Sequence, residues 1–128
     1  MTENKSLNET NKILDSIIQG IQEKKGKKIL NLDLSNIENA VCKNFVVCHG
    51  DSNRQVSAIA DSIQEFVRKN NKEKPWHKEG EQNSDWILLD YADVVVHIFK
   101  EETRRFYNIE GLWADAKIAE INQQTKEA

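Results

Sequence analysis

The fold is decided by the stretch Trp86-Ile-Leu-Leu-Asp-Tyr-Ala-Asp-Val-Val-Val-His-Ile-Phe99, which holds the longest apolar run outside a helical pattern. Residues 94–99 are β-branched and aromatic, and the run is too short for a helix of its own. Residues 86–90 have the same character, and only Tyr91 and Ala92 separate them from Asp93. The stretch therefore predicts an antiparallel hairpin with a two-residue loop.

A two-residue loop sets the pairing of these strands, and side chains alternate between the faces of a strand. The predicted pairs are Asp90 with Asp93, Leu89 with Val94, Leu88 with Val95, Ile87 with Val96, and Trp86 with His97. One face is aliphatic and is predicted to face the core: Ile87, Leu89, Val94, Val96 and Ile98. The other face, the mixed face, combines large apolar and polar groups: Trp86, Leu88, Asp90, Asp93, Val95, His97 and Phe99.

The composition of the whole chain narrows the class of protein. Its 128 residues are enough for one domain with a real core, and 30% of them are charged. The net charge of −3 argues against broad, non-specific binding of nucleic acid. No apolar run approaches the ~20 residues of a membrane span. Cys42 and Cys48 lack the spacing of a zinc site, and the polar N-terminus resembles no targeting signal, so we expect a reducing cytoplasm.

The first half of the chain predicts two helices and two strands. Ser6 and Glu9 have the spacing of a capping box at the start of a first helix, which a cationic last turn and Gly26 end. Alternating leucines predict a half-buried strand over 28–34, and a run that is apolar on both faces predicts an interior strand over 45–48. Ser52 and Gln55 are a second capping-box pair, for a helix that ends near residues 70–71.

The second half adds an edge strand, the hairpin and a third helix. A short edge strand is expected around Trp76, followed by a mobile loop. Glu101 and Glu102 suit the start of the third helix, whose predicted sheet-facing stripe is Phe106, Ile109, Trp113 and Ala116. The expected fold is a single α/β domain over residues 1–117, a mixed sheet packed with three helices in the order α-β-β-α-β-β-β-α. Residues 118–128 are expected to form a polar C-terminal tail.

Three groups of residues are candidates for chemistry, and each favours a structural role. Asp90 and Asp93 are a candidate pair of metal ligands, but a turn separates them and no third carboxylate is obvious. Cys48 and His49 are neighbours on a strand, so they point to opposite faces and cannot act as a thiolate–imidazole pair. His49-Gly50-Asp51-Ser52 is one short turn into a helix, which by itself is weak evidence for phosphate binding. The sequence therefore predicts no catalytic or metal-binding residues and no cofactor.

Basic residues and the histidine of the hairpin also have ordinary explanations. Arg104 and Arg105 stand beside two glutamates, which is typical of a solvated helix face. Lys24, Lys25, Lys27 and Lys28 form a basic cluster that is typical of a solvated helix end. The mixed face is harder to explain, and two readings stay open. Either a helix covers it, as in many α/β sheets, or it is an exposed surface for docking a protein.

The sequence closely resembles the ribosomal silencing factors, also called the Iojap family. The match includes His49-Gly50-x-Ser52-x-Arg54-Gln55-Val56-x2-Ile59-Ala60, Glu79-Gly80, Trp86-x3-Asp90-Tyr91-x-Asp93-Val94-Val95-Val96-His97-x-Phe99 and Arg105-x-Tyr107-x2-Glu110-x-Leu112-Trp113-x-Asp115-Ala116. It extends from about the first helix to Ala116. The family typically has glycine where this chain has Ala92, and alanine is less comfortable at positive φ.

The resemblance implies a nucleotidyltransferase-like fold without a known transferase activity. It also implies binding to the large ribosomal subunit through ribosomal protein L-fourteen, at the place where the small subunit docks, so that translation falls when nutrients run out. Direct contact with nucleic acid is not required, and no membrane is involved. The alternatives are a nucleotidyltransferase-like enzyme and an assembly factor for the large subunit.

The expected docking site centres on the mixed face and its turn. Its main contacts are predicted to be Trp86, Leu88, Asp90 and Tyr91, with Glu79 and His97 nearby. Interface cores favour aromatic residues, and acidic side chains suit a basic ribosomal protein.

Overall fold

A six-stranded mixed sheet organises the molecule. The computed structural model describes residues 2–121, with side chains from residue 9 onward. The helices are α1 (Thr2–Glu23), α2 (Asn53–Asn71), α3 (Glu101–Tyr107) and α4 (Ile109–Leu112). The strands are β1 (Lys27–Asp33), β2 (Asn44–Gly50), β3 (His77–Glu79), β4 (Trp86–Asp90), β5 (Val94–Lys100) and β6 (Lys117–Ile121). The predicted α/β class and mixed sheet are confirmed.

The strands lie in the order β3-β4-β5-β2-β1-β6. Only β2 and β5 run parallel, and the other neighbouring pairs are antiparallel. Every residue of β2 is buried, because the strand lies inside the sheet and both of its faces are covered. This confirms the interior strand that the apolar run at 45–48 predicts.

Helices α1 and α2 cover one face of the sheet and build the larger core. Their apolar stripes meet the aliphatic face of the hairpin, as predicted, and this core includes Ile13, Ile17, Ile21, Val56, Ile59, Ile63, Val67, Ile87, Leu89, Val94, Val96 and Ile98. Within residues 2–121, no helix combines the length and apolar character needed to cross a membrane. A smaller core lies on the opposite face and includes Leu32, Leu34, Phe45, Val47, Val95, Phe99 and Ile109.

The predicted hairpin is confirmed, but its register differs by two residues. Trp86 pairs with Phe99, and Asp90 pairs with Val95. The loop lies one residue further along the chain than predicted, because the Tyr91 N–H donates to the Val94 carbonyl at 2.9 Å and leaves Ala92 and Asp93 between that pair. An even shift keeps each side chain on its own face. The predicted pairs are therefore wrong, while the division into two faces is confirmed.

The turn requires a left-handed residue at Ala92, whose φ is +73°. A carboxylate oxygen of Asp90 accepts the Ala92 N–H at 2.8 Å and stabilises the turn. Glycine adopts this conformation without the steric cost that a Cβ brings. Ala92 thus lies at a strained position of the turn.

The sequence predicts two helix starts, and one of these predictions is confirmed. The Ser52 side chain accepts the Gln55 N–H at 3.1 Å and caps α2, as predicted. The Gln55 side chain accepts the Asp51 N–H at 2.7 Å, one residue before the partner that a capping box requires. In contrast, α1 begins at Thr2, so Ser6 is not its N-cap and that prediction is wrong.

The C-terminal part differs most from expectation. The third helix stops at Tyr107, because Asn108 is left-handed with φ +47°, and the short α4 follows. The predicted stripe is broken there: Ile109 is buried, but Phe106 is 81% exposed. Residues 118–121, predicted to belong to a polar tail, lie in β6, which pairs with β1. Residues 122–128 of that tail lie outside the described residues.

Candidate functional site

Trp86 is the centre of an aromatic cluster on the mixed face. Its ring centroid lies 4.8 Å from that of Phe99 and 4.8 Å from that of Tyr107. Its indole N–H donates to Nδ1 of His97 at 3.1 Å. The ring is half-buried, so one part packs on the sheet while another part faces solvent. A ring that is held in one orientation and partly exposed is suited to contact another protein.

His97 lies beside Trp86 on the same face of the sheet and is buried. The residue is 6% exposed, and its ring packs edge-on against Phe45 at 4.8 Å. Burial lowers the pKa of His97 to about 4, so the imidazole is neutral near pH 7. A neutral ring whose Nδ1 accepts from Trp86 carries its proton on Nε2. That atom is buried and has no partner among the described residues.

Strand β3 brings the predicted acidic residue to the same face. Glu79 pairs with Leu88, and His77 pairs with Asp90, so all four side chains share the face of Trp86. The Glu79 carboxylate lies 2.7 Å from Nε2 of His77. Leu88 and Asp90 are half-buried, while Glu79 is exposed. The structure thus brings together Trp86, Leu88, Asp90 and Glu79.

Tyr91 is the exception among the predicted contacts. It is 2% exposed and packs in the larger core, on the opposite side of the sheet from Trp86. Burial raises the pKa of its phenol, and the hydroxyl finds no partner in the described part of the chain. Tyr91 therefore holds the turn in the core and lies away from the exposed surface.

The mixed face is covered in one part and exposed in another. Each of the two hypotheses from the sequence, a covering helix and an exposed surface, therefore holds for part of the face. Trp113 packs edge-on against Phe45 at 5.5 Å, and Ile109 closes the smaller core beside Phe99. Towards β4 and β3 the face remains open. We name this open part, formed by Glu79, Trp86, Leu88 and Asp90, the β4 surface.

Two aromatic residues beside the β4 surface were missed in the sequence. Phe106 is 81% exposed and Tyr107 is 49% exposed. Their rings are edge-on at 5.0 Å, and Tyr107 leans on Trp86. Helical periodicity assigns Phe106 to the core if the helix continues unbroken. The break at Asn108 has no clear signal in the sequence. Tyr107 was already present in the matched family motif, which was the available signal.

A group of possible metal ligands lies at the ends of the parallel strands. Among the described residues, ligand atoms of His49, Asp51 and Glu101 lie within 4.8 Å of one another. The protein's own cations occupy this place: Arg104 donates to Nδ1 of His49 at 2.9 Å, and Lys27 pairs with Asp51. Burial, and then the Arg104 guanidinium, lower the pKa of His49. The arrangement is an internal ion-pair network and a poor cation site.

The other candidate chemical groups have structural roles. Asp90 caps the turn at Ala92, and Asp93 accepts from the Thr10 hydroxyl at 3.1 Å, so the two carboxylates do not form a metal pair. Cys48 is buried, and burial raises the pKa of its thiol to about 12. A thiol with a raised pKa in an apolar core is unreactive.

The chain was compared with known proteins. Residues 7–128 match the family described as "Ribosomal silencing factor during starvation". The ribosomal silencing factor RsfS of Bacillus subtilis is 37% identical over 110 residues, which cover 86% of this chain and 92% of that protein. A Chromobacterium violaceum crystal structure has a TM-score of 0.76 and 33% identity, and the match covers 90% of this chain and 95% of that one.

A more distant relative is named for a related process. The mouse "Mitochondrial assembly of ribosomal large subunit protein 1" is 30% identical over 87 residues, covering 63% of this chain and 38% of that protein. The relatives named as silencing factors form a regulatory family of translation, not an enzyme family. A match of this length and identity shows that this chain belongs to the ribosomal silencing factor family.

Proposed function

We propose that the chain acts in the cytoplasm by docking on the large ribosomal subunit and blocking the joining of the small subunit. The contact is made to ribosomal protein L-fourteen, and no direct contact with nucleic acid is required. Membership of the silencing factor family supports a ribosomal partner. The effect of docking is to repress translation, for example in starvation.

The β4 surface is the observation that carries this proposal. It presents a half-buried tryptophan, fixed by a hydrogen bond to His97, next to the exposed carboxylate of Glu79. Ordered aromatic residues are enriched among interface residues that contribute most to affinity, because they bury much area at low entropic cost. Carboxylates at the rim favour a basic partner and would be repelled by RNA phosphates. His97 contributes by fixing the Trp86 ring, and Tyr91 by anchoring the turn in the larger core.

Subunit joining provides the direct test. Separated ribosomal subunits are mixed with magnesium and their association is followed by light scattering, with and without the purified protein. The protein is expected to reduce association without consuming nucleotide. Normal joining at saturating protein would exclude the proposed function.

The surface itself is tested with a matched pair of tryptophan variants. Trp86→Ala is expected to weaken binding to large subunits by about thirtyfold, the equivalent of ~2 kcal/mol. Trp113→Ala removes a half-buried ring that packs on Phe45 inside the smaller core. It is expected to lower the free energy of unfolding by about 2 kcal/mol and to leave the binding of folded protein unchanged. Binding and urea unfolding are measured on the same samples. Tight binding by folded Trp86→Ala would place the contact elsewhere.

A second candidate is a role in assembly of the large subunit. The name of the mouse relative favours it. Depletion of the protein would then accumulate immature large subunits on sucrose gradients during growth. If the protein acts by silencing, depletion leaves the large subunits mature and increases their joining to small subunits. One gradient experiment therefore separates the two functions.

A further inference from the structure

An open cleft lies next to the β4 surface and has a distinct chemical character. It has a volume of about 510 Å³, and its aromatic wall consists of Trp86, Phe106 and Tyr107. Phe106 belongs to neither core, and 81% of this large apolar residue is exposed. Exposed aromatic groups that cluster in this way mark binding surfaces.

The remaining wall of the cleft is acidic. Asp85 and Glu102 line it, and none of the described residues that line the cleft is a lysine, arginine or histidine. One Asp85 oxygen accepts from Nδ2 of Asn53 at 2.7 Å, which orients the carboxylate. Glu102 lies 3.5 Å from the Lys100 ammonium, and its side chain is 69% exposed. Solvent weakens that pair, so the carboxylate remains available to another cation.

The faces of aromatic rings carry partial negative charge and attract cations. A cleft with three aromatic residues and two carboxylates therefore favours a cationic ligand over an apolar or anionic one. A guanidinium group fits better than an ammonium, because its plane stacks on a ring while its edge donates two parallel hydrogen bonds to a carboxylate.

We propose that this cleft binds an arginine side chain that projects from the docked protein. The inference rests on the proposed docking at the β4 surface and adds the chemical group that the cleft recognises. Trp86 belongs to both sites, so an arginine in the cleft lies directly beside the main contact. The cleft supplies specificity, because a partner without a cation there leaves the acidic wall unpaired.

The first test uses variants that separate ring, hydroxyl and charge. Tyr107→Leu keeps an apolar side chain but removes the ring, and it is expected to weaken binding to large subunits at least threefold. Tyr107→Phe keeps the ring and is expected to bind like the parent. Glu102→Gln is expected to weaken binding and to reduce its dependence on salt. Asp61→Asn, exposed on α2 across the sheet, is the acidic control and is expected to have no effect.

A second test does not depend on the ribosome. The protein is titrated with N-acetyl-arginine amide, and the NMR signal of the Trp86 indole N–H is followed. The corresponding citrulline amide has nearly the same shape and no charge. A saturable shift with the arginine compound alone is the expected result.

The outcomes distinguish this inference from the proposed function. If Tyr107→Leu and Glu102→Gln bind normally while Trp86→Ala does not, docking stands and the cleft proposal is overturned. Equal losses in Tyr107→Phe and Tyr107→Leu would assign the effect to the hydroxyl and overturn the cation proposal. Equal responses to the arginine and citrulline compounds would overturn it even if ribosome binding is confirmed.

Discussion

The indole N–H of Trp86 donates to Nδ1 of His97 at 3.1 Å, across two neighbouring strands of the sheet. This bond joins the candidate contact residue to a buried group that must be neutral to accept it. Protonation of His97 would remove the acceptor and place a charge in the smaller core. The orientation of the docking tryptophan is thereby linked to the protonation state of the core.

We expect stability to fall in acid because of this histidine. The pKa of His97 is about 4 in the folded protein, below its ordinary value of 6.5. Between these pH values the unfolded state binds the proton and the folded state does not, so the free energy of unfolding decreases as pH falls. The slope for one such group is at most ~1.4 kcal/mol per pH unit. His49, whose pKa is also lowered, adds to the slope with the same sign.

Urea unfolding between pH 7 and pH 4 measures this dependence. The His97→Phe variant should show a shallower decrease than the parent, because one of the two groups no longer titrates. An unchanged slope in His97→Phe would exclude His97 as the cause.

The turn of the hairpin offers a stabilising substitution. Ala92→Gly is expected to raise the free energy of unfolding by about 1 kcal/mol, because glycine adopts φ near +73° without a Cβ clash. Ala58→Gly, in the middle of α2, should lower it by about 1 kcal/mol. Both are measured by urea denaturation. A loss of stability in Ala92→Gly would show that the turn is not strained.

Arg104 holds the C-terminal helices on the sheet, so the solvated position predicted for it is wrong. It is 6% exposed, and it bonds to Glu110 at 3.1 Å, to the Lys28 carbonyl at 2.8 Å and to His49 at 2.9 Å. Arg104→Met is expected to cost about 3 kcal/mol of folding stability, because these partners lose a buried donor. The adjacent Arg105→Met changes an exposed side chain and should cost less than ~0.5 kcal/mol. Equal effects in urea denaturation would contradict the assignment.

We expect no nucleotidyl transfer from the hairpin carboxylates. Asp90→Asn and Asp93→Asn should keep the fold, because an amide oxygen can accept the same hydrogen bonds from the Ala92 N–H and the Thr10 hydroxyl. Parent and variants are incubated with nucleoside triphosphates and magnesium, and released pyrophosphate is measured. A transfer activity of the parent that both variants lose would establish the enzyme alternative.

Features that depend only on residues close together in the sequence were predictable. Period-two alternation divided the hairpin into an aliphatic and a mixed face, and a run that is apolar on both faces located the central strand β2. The Ser52 cap needs only the amide of Gln55, three residues away. Trp86, Leu88, Asp90 and Glu79 then share one face because alternation and strand pairing require it.

Tertiary structure decided the remaining features, because each depends on contacts between distant residues or on one backbone angle. The loop with the left-handed Ala92 is displaced by one residue, which shifts the register by two. The left-handed Asn108 ends α3, and Phe106 beside it is exposed. The pairing of β6 with β1 joins residues far apart in the chain. The burial of Tyr91 and His97 follows from which layers cover the sheet. Residue type and local periodicity determine which faces a strand has, whereas packing of the whole chain determines which parts of those faces stay open.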